Sequence, residues 1–124
     1  MKLENLIADW ISNNQILATD LQGIEACHFG ILETTEGYMI YLIGAKEYDP
    51  DNDDWAIEVD FEPTNKYLEI PTELTDHLDW MAVLELVVKS LADYLSSDAF
   101  TNSQLANVDV ITTGFDGGDL SRIK

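Results

Sequence analysis

The residues best able to do chemistry lie in one run, Glu47 to Glu62, which holds eight acids and no Lys or Arg. Within it Asp49, Asp51 and Asp53 occupy the first, third and fifth places of a loop whose twelfth is Asp60, a spacing that matches calcium-ligand positions. The rest of an EF-hand is missing, because Asp54 stands where the turn needs glycine and strands are expected on both sides. Paired carboxylates also suggest general acid–base hydrolysis, but that chemistry needs a cleft that gives the two carboxyls different environments, and no pattern in the chain supplies one. His28 and His77 are the only histidines and Cys27 the only cysteine. Cys27 and His28 are neighbours in a strand pattern, where successive side chains point to opposite faces, so they do not form a nucleophile–base pair. Thr113 to Asp119 carries three of the seven glycines. No Lys-Ser/Thr follows them, and Asp116 and Asp119 would repel phosphate, so the stretch reads as a tight turn rather than a phosphate loop. No catalytic residue, cofactor or metal is expected.

What remains is charge. The chain has 24 acids and six Lys and Arg, a formal net charge of −18. Self-repulsion of that size opposes compaction, although acidity also confers solubility. Direct binding of nucleic acid or anionic lipid is disfavoured, because phosphates are held by Lys and Arg. A basic protein is the partner that fits. Glu58, Asp60 and Glu62, roughly 7 Å apart if they alternate along a strand, would form one acidic row beside Asp49, Asp51, Asp53 and Asp54. Asp116 and Asp119 would add a second contact. Tyr48 and Trp55 bracket the loop and could anchor an interface, though Trp55 also falls on the apolar side of the alternation.

The elements that must position these residues follow from periodicity. Leu3, Leu6, Ile7, Trp10 and Ile11 make one stripe of a short N-terminal helix. Ile24 to Leu32 reads as a strand, the Glu33–Gly37 turn as a hairpin connection, and Tyr38 to Tyr48 as a central strand apolar on both faces. Trp55, Ile57, Val59 and Phe61 alternate with Ala56, Glu58, Asp60 and Glu62, which predicts a half-buried strand. Lys66 to Ile70 is a short strand ended by Pro71. Thr75 is the expected N-cap of a long helix over about 76–96, with apolar Leu78, Met81, Ala82, Leu84, Val88, Leu91, Ala92 and Leu95, widened by Val83, Leu86 and Val87. A polar connection over 97–107, a strand Val108 to Phe115 and a terminal arm Leu120 to Ile123 complete the chain.

With 46% hydrophobic residues and 124 residues in all, one domain with its own core is expected. Short links favour antiparallel neighbours, so the prediction is an α+β fold. Its mainly antiparallel sheet has about five strands, with the long helix on one face and the short helix beside it. No apolar run reaches the ~20 residues of a membrane span. The N-terminus lacks the features of a secretory signal, which places the chain in the cytoplasm. The lone Cys27 is expected to be a buried, inert thiol.

Ile43-Gly44-Ala45-Lys46-Glu47-Tyr48-Asp49 with the Asp53-Asp54-Trp55 that follows, Lys66-Tyr67-Leu68-Glu69, and Thr112 through Leu120 resemble small acidic bacterial proteins of the toxin-immunity type. The resemblance runs from Tyr38 to the C-terminus and implies a cytoplasmic antidote that binds a basic toxin domain, commonly a nuclease, of a contact-dependent or polymorphic toxin system. The alternative from composition alone is an acidic adaptor for a basic endogenous protein, with no toxin involved.

Overall fold

The computed structural model describes residues 1–124. It is an α+β fold built on a five-stranded sheet, β1 (Ala26–Glu33), β2 (Tyr38–Ala45), β3 (Tyr67–Glu69), β4 (Val110–Phe115) and β5 (Ser121–Arg122), in the order β3-β2-β1-β4-β5. The helices are α1 (Leu3–Asn13), α2 (Trp80–Leu95) and the single turn α3 (Asp98–Thr101).

The β1–β2 hairpin forms where expected, with Ala26 opposite Ala45 and Glu33 opposite Tyr38. Thr34 closes its turn, the hydroxyl accepting from the Gly37 N–H. β2–β3 and β4–β5 are also antiparallel. The sheet is nevertheless mixed, since β4 runs parallel to β1, Cys27 opposite Ile111 and Gly30 opposite Gly114. A parallel pair needs a long crossover. The 16-residue α2 supplies it, carrying the chain about 24 Å back to the end from which β1 starts.

Side chains alternate across β1 into two environments. Cys27, Phe29 and Ile31 face the main core with Ile40, Leu42 and Ile111, under Val83, Val87 and Leu91 of α2 and Leu3, Ile7, Trp10 and Ile11 of α1. Burial pushes the Cys27 thiol up to about 12, as expected of an inert sulfhydryl. Trp10 meets Phe29 edge to face at 6.2 Å and donates its indole N–H to the Asn65 carbonyl at 2.8 Å, tying α1 to the turn before β3. His28 lies on the other sheet face, so the thiol and the imidazole are separated by the sheet.

Several boundaries differ from the sequence reading. α2 begins at Trp80 rather than at 76, because Asp79 takes the cap position and its carboxylate accepts from the Ala82 N–H at 2.8 Å. Thr75 is instead buried in the preceding turn. His77 is therefore exposed ahead of the helix, not within its first turn. The buried seam of α2 runs along Val83, Val87, Ser90, Leu91 and Tyr94, leaving Met81 and Ala92 exposed. A face so widely apolar does not reveal its own centre. The connection over 97–107 contains α3 and a 3-10 turn at Gln104–Asn107, which bury Phe100 and Leu105. Asp79→Ala should cost about 1 kcal/mol in urea unfolding; an unchanged midpoint would show that the Asp79 cap adds nothing to α2.

Candidate protein interface

The largest departure falls on the acidic run. Trp55 to Phe61 is not a strand. Asp53–Ile57 is a 3-10 turn, started by Asn52, whose side-chain oxygen accepts from the Asp54 N–H at 2.9 Å. Such local side-chain bonding competes with strand pairing. At three residues per turn, positions two apart point in widely different directions. Trp55 is thus buried while Ile57 is 76% exposed, and Val59 is 50% exposed. Only Phe61 returns to the sheet, exchanging backbone hydrogen bonds with Gly44.

Trp55 packs with Ala26, Ala45 and Val110 on the sheet face opposite the helices, edge to face with Tyr48 at 5.2 Å and His28 at 6.4 Å. It is a core residue and not an exposed anchor. Its three small neighbours leave room for the indole, and the acidic run is laid down across one end of that face.

The uncovered remainder is a cleft. Its floor is His28 and Tyr41; one wall is Asp53, Asp54, Ala56 and Ile57, and the other is the turn from Phe115 to Leu120. Two glycines shape it. Gly30 pairs with Tyr41 on one side and Gly114 on the other. A Cβ on Gly30 would overlap the Tyr41 ring, and one on Gly114 would overlap the Asp119 carbonyl. Only glycine in this register lets the tyrosine lie over β1 and the 116–120 turn close against β4. Gly117, at φ +80°, makes the turn itself.

Tyr41 donates its hydroxyl to Asp116 Oδ1 at 3.1 Å, and burial with the Asp116 charge pushes the phenol up to about 12. His28 is 2% exposed, with Nδ1 bonded to Thr112 Oγ1 at 2.9 Å. Burial lowers its pKa to about 4, although the nearby charges of Asp116 and Asp53 act the other way. The imidazole is therefore neutral at pH 7 and the cleft is anionic.

Of the acids expected to meet a partner, Asp53, Asp54, Asp116 and Asp119 come together here across more than 60 positions of sequence. Asp49, Asp54 and Glu58 line a second depression just beyond Trp55, with Glu25 and Glu47. Asp51 lies in the loop, its N–H donating to Asp49 Oδ1. The regular acidic row does not exist. Asp60 stays exposed but is occupied by the Lys46 backbone N–H, which it accepts at 2.8 Å, and Glu62 pairs with Lys66 at 3.3 Å. His28, Tyr41 and Ile57 were not among the expected contact residues. Glycine inside a strand marks close approach and, at Gly30, was the one signal that could have located Tyr41.

No cation of the chain pairs with the cleft acids, because the four ion pairs involve Glu4, Glu62, Asp76 and Asp93. Neither depression brings together three His, Cys, Asp or Glu side chains placed to hold a metal ion. No helix is long and apolar enough to cross a membrane. Each pair of like charges about 10 Å apart in water repels by about 0.4 kcal/mol, and many such pairs exist on this surface. Raising NaCl from low to moderate concentration should therefore lift the Tm by about 5 °C or more through screening. A flat or falling Tm in a thermal scan would contradict that.

No protein-family model, curated protein or solved structure matches the chain.

Proposed function

We propose that the chain is a cytoplasmic immunity-type inhibitor that binds a basic toxin domain, such as a nuclease, through the acidic cleft and the loop beside it. The observation that carries this reading is the meeting of Asp53 and Asp54 with Asp116 and Asp119 around one cleft, none of the four in an ion pair with a Lys or Arg of the chain. Like charges gathered without compensation oppose folding, and a basic partner relieves the repulsion on binding. The toxin assignment rests on the resemblance of the segments around Asp49 and Asp116 to small acidic immunity proteins. A nuclease must present cations to hold phosphates. A protein that covers those cations excludes the nucleic acid without needing chemistry of its own.

Titration calorimetry against the protein encoded next to this chain in its genome tests the reading. One-to-one binding that weakens with added salt and fails for Asp53→Lys with Asp54→Lys is the expected result. No heat at low salt would end the proposal. Binding that ignores both salt and the double substitution would move the interface elsewhere.

A further inference from the structure

The cleft is more than an acidic patch, because its floor and one margin are neutral. His28 is almost wholly buried and uses Nδ1 for Thr112, while Nε2 has no partner in the chain. In the tautomer that donates Nδ1–H to the Thr112 hydroxyl, Nε2 is an acceptor at the base of an anionic cleft. One oxygen of Asp116 accepts from Tyr41, which fixes the carboxylate and leaves its other oxygen free of in-chain partners. Beside this, Ile57, Val59 and Tyr67 are three of the seven exposed large apolar side chains, and all three line one adjoining depression that shares Tyr41 and Asp116 with the cleft. The Tyr41 and Tyr67 rings also attract cations. The chain's own Lys66 shows this, lining the same depression with its ammonium 5.7 Å from one ring centroid and 5.5 Å from the other.

We infer that the cleft seats an arginine side chain of the basic partner, its guanidinium between Asp53 and Asp116 above His28, with a neighbouring apolar residue on Ile57 and Val59. This rests on the proposed function and names the group that the site takes. Arginine fits better than lysine because a planar fork of donors can serve two carboxylates and the imidazole acceptor at once. It is also the more weakly hydrated cation and loses less on entering a half-closed cleft. The burial that keeps His28 neutral leaves its lone pair available to such a donor. An apolar seat within a charged rim is the usual anatomy of a binding hot spot.

Two measurements test this on the full chain. In the first, isotope-labelled protein is titrated with the blocked peptide Gly-Leu-Arg-Leu-Gly and its lysine and citrulline counterparts. Saturable NMR shifts at the His28 and Tyr41 rings and the Ile57 methyls are expected for arginine, several-fold weaker for lysine and absent for citrulline. Shifts scattered over the acidic loop without saturation at His28 would overturn the seat, and equal response to lysine would overturn the arginine assignment.

In the second, the protein encoded next to the chain is titrated with Asp53→Asn and with Ile57→Asp, both at exposed positions. Each should weaken binding by about tenfold or more. Ile57→Asp is decisive because it adds negative charge: general attraction to a basic partner would make it bind more tightly, and an apolar seat makes it bind more weakly. If that protein binds both variants as it binds the wild type, the inference fails and the proposed function stands. If it does not bind the wild type at all, the proposed function fails and the peptide titration alone decides the cleft.

Discussion

Trp55→Ala is expected to lower the unfolding free energy by about 3 kcal/mol, a fall of roughly 10 °C in Tm for a domain of this size. The indole is 7% exposed and fills the space over Ala26, Ala45 and Val110, residues too small to close a cavity behind it. Those neighbours are on three separate stretches of chain, so relaxation into the hole would need three strands to shift. The acidic segment should also loosen, because Trp55 and the Gly44–Phe61 bridge are its main attachments to the sheet. Urea unfolding gives the energy, and hydrogen exchange of the Asp54, Glu58 and Phe61 amides reports the loosening. A loss under about 1 kcal/mol, below the range for truncating a buried aromatic, would mean that the segment rests on the sheet without being held by it.

Acid should remove the second large contribution. His28 has an ordinary pKa of 6.5 when unfolded and about 4 in the folded chain, where burial penalises the imidazolium more than Asp116 and Asp53 favour it. A histidine with a depressed folded pKa binds its proton more readily in the unfolded chain. The stability it confers is complete above pH 6.5 and is lost as the pH falls from 6.5 towards 4. The loss should reach about 2 kcal/mol by pH 5 and about 3 kcal/mol below pH 4. Falling pH also relieves the repulsion among the carboxylates, so the absolute curve mixes two effects of opposite sign. His28→Gln separates them, since the variant keeps the carboxylates and lacks the imidazole. The difference in unfolding free energy between wild type and variant should move by about 2 kcal/mol against the wild type between pH 8 and pH 5. A difference that stays constant with pH would show that the His28 ring is solvated in the folded state.

Much of the fold could be read from local pattern. The stripe of α1, the β1–β2 hairpin and the opposite facing of Cys27 and His28 each depend on residues within about one element of each other. The hydrophobic period fixes them before any tertiary contact is made. The strand expected over Trp55 to Phe61 failed for an equally local reason. Four apolar residues at alternate positions satisfy a strand template, but the Asn52 side chain offered the backbone a competing bond. A 3-10 turn then sent Trp55 inward and Ile57 outward. The start of α2 moved from the expected Thr75 to Asp79 because the Asp79 carboxylate takes the Ala82 N–H, while Thr75 is buried in the turn before the helix.

The candidate site divides along the same line. Its acidity, with no Lys or Arg between Glu47 and Glu62 or between Val108 and Leu120, follows from composition and order alone. The sequence also determined that a phosphate-binding surface was disfavoured. Which acids act together was set by packing between distant segments. Asp53 and Asp54 meet Asp116 and Asp119 because α2 returns β4 parallel to β1, a pairing between residues more than 80 apart that no local period encodes. The same pairing sets Gly30 against Gly114, which makes room for Tyr41 and the 116–120 turn and so creates the cleft. Asp60 and Glu62, equivalent to their neighbours in sequence, were turned to Lys46 and Lys66 by the path of the backbone. Charge is carried by each residue alone; concavity and partnership arise where distant segments pack.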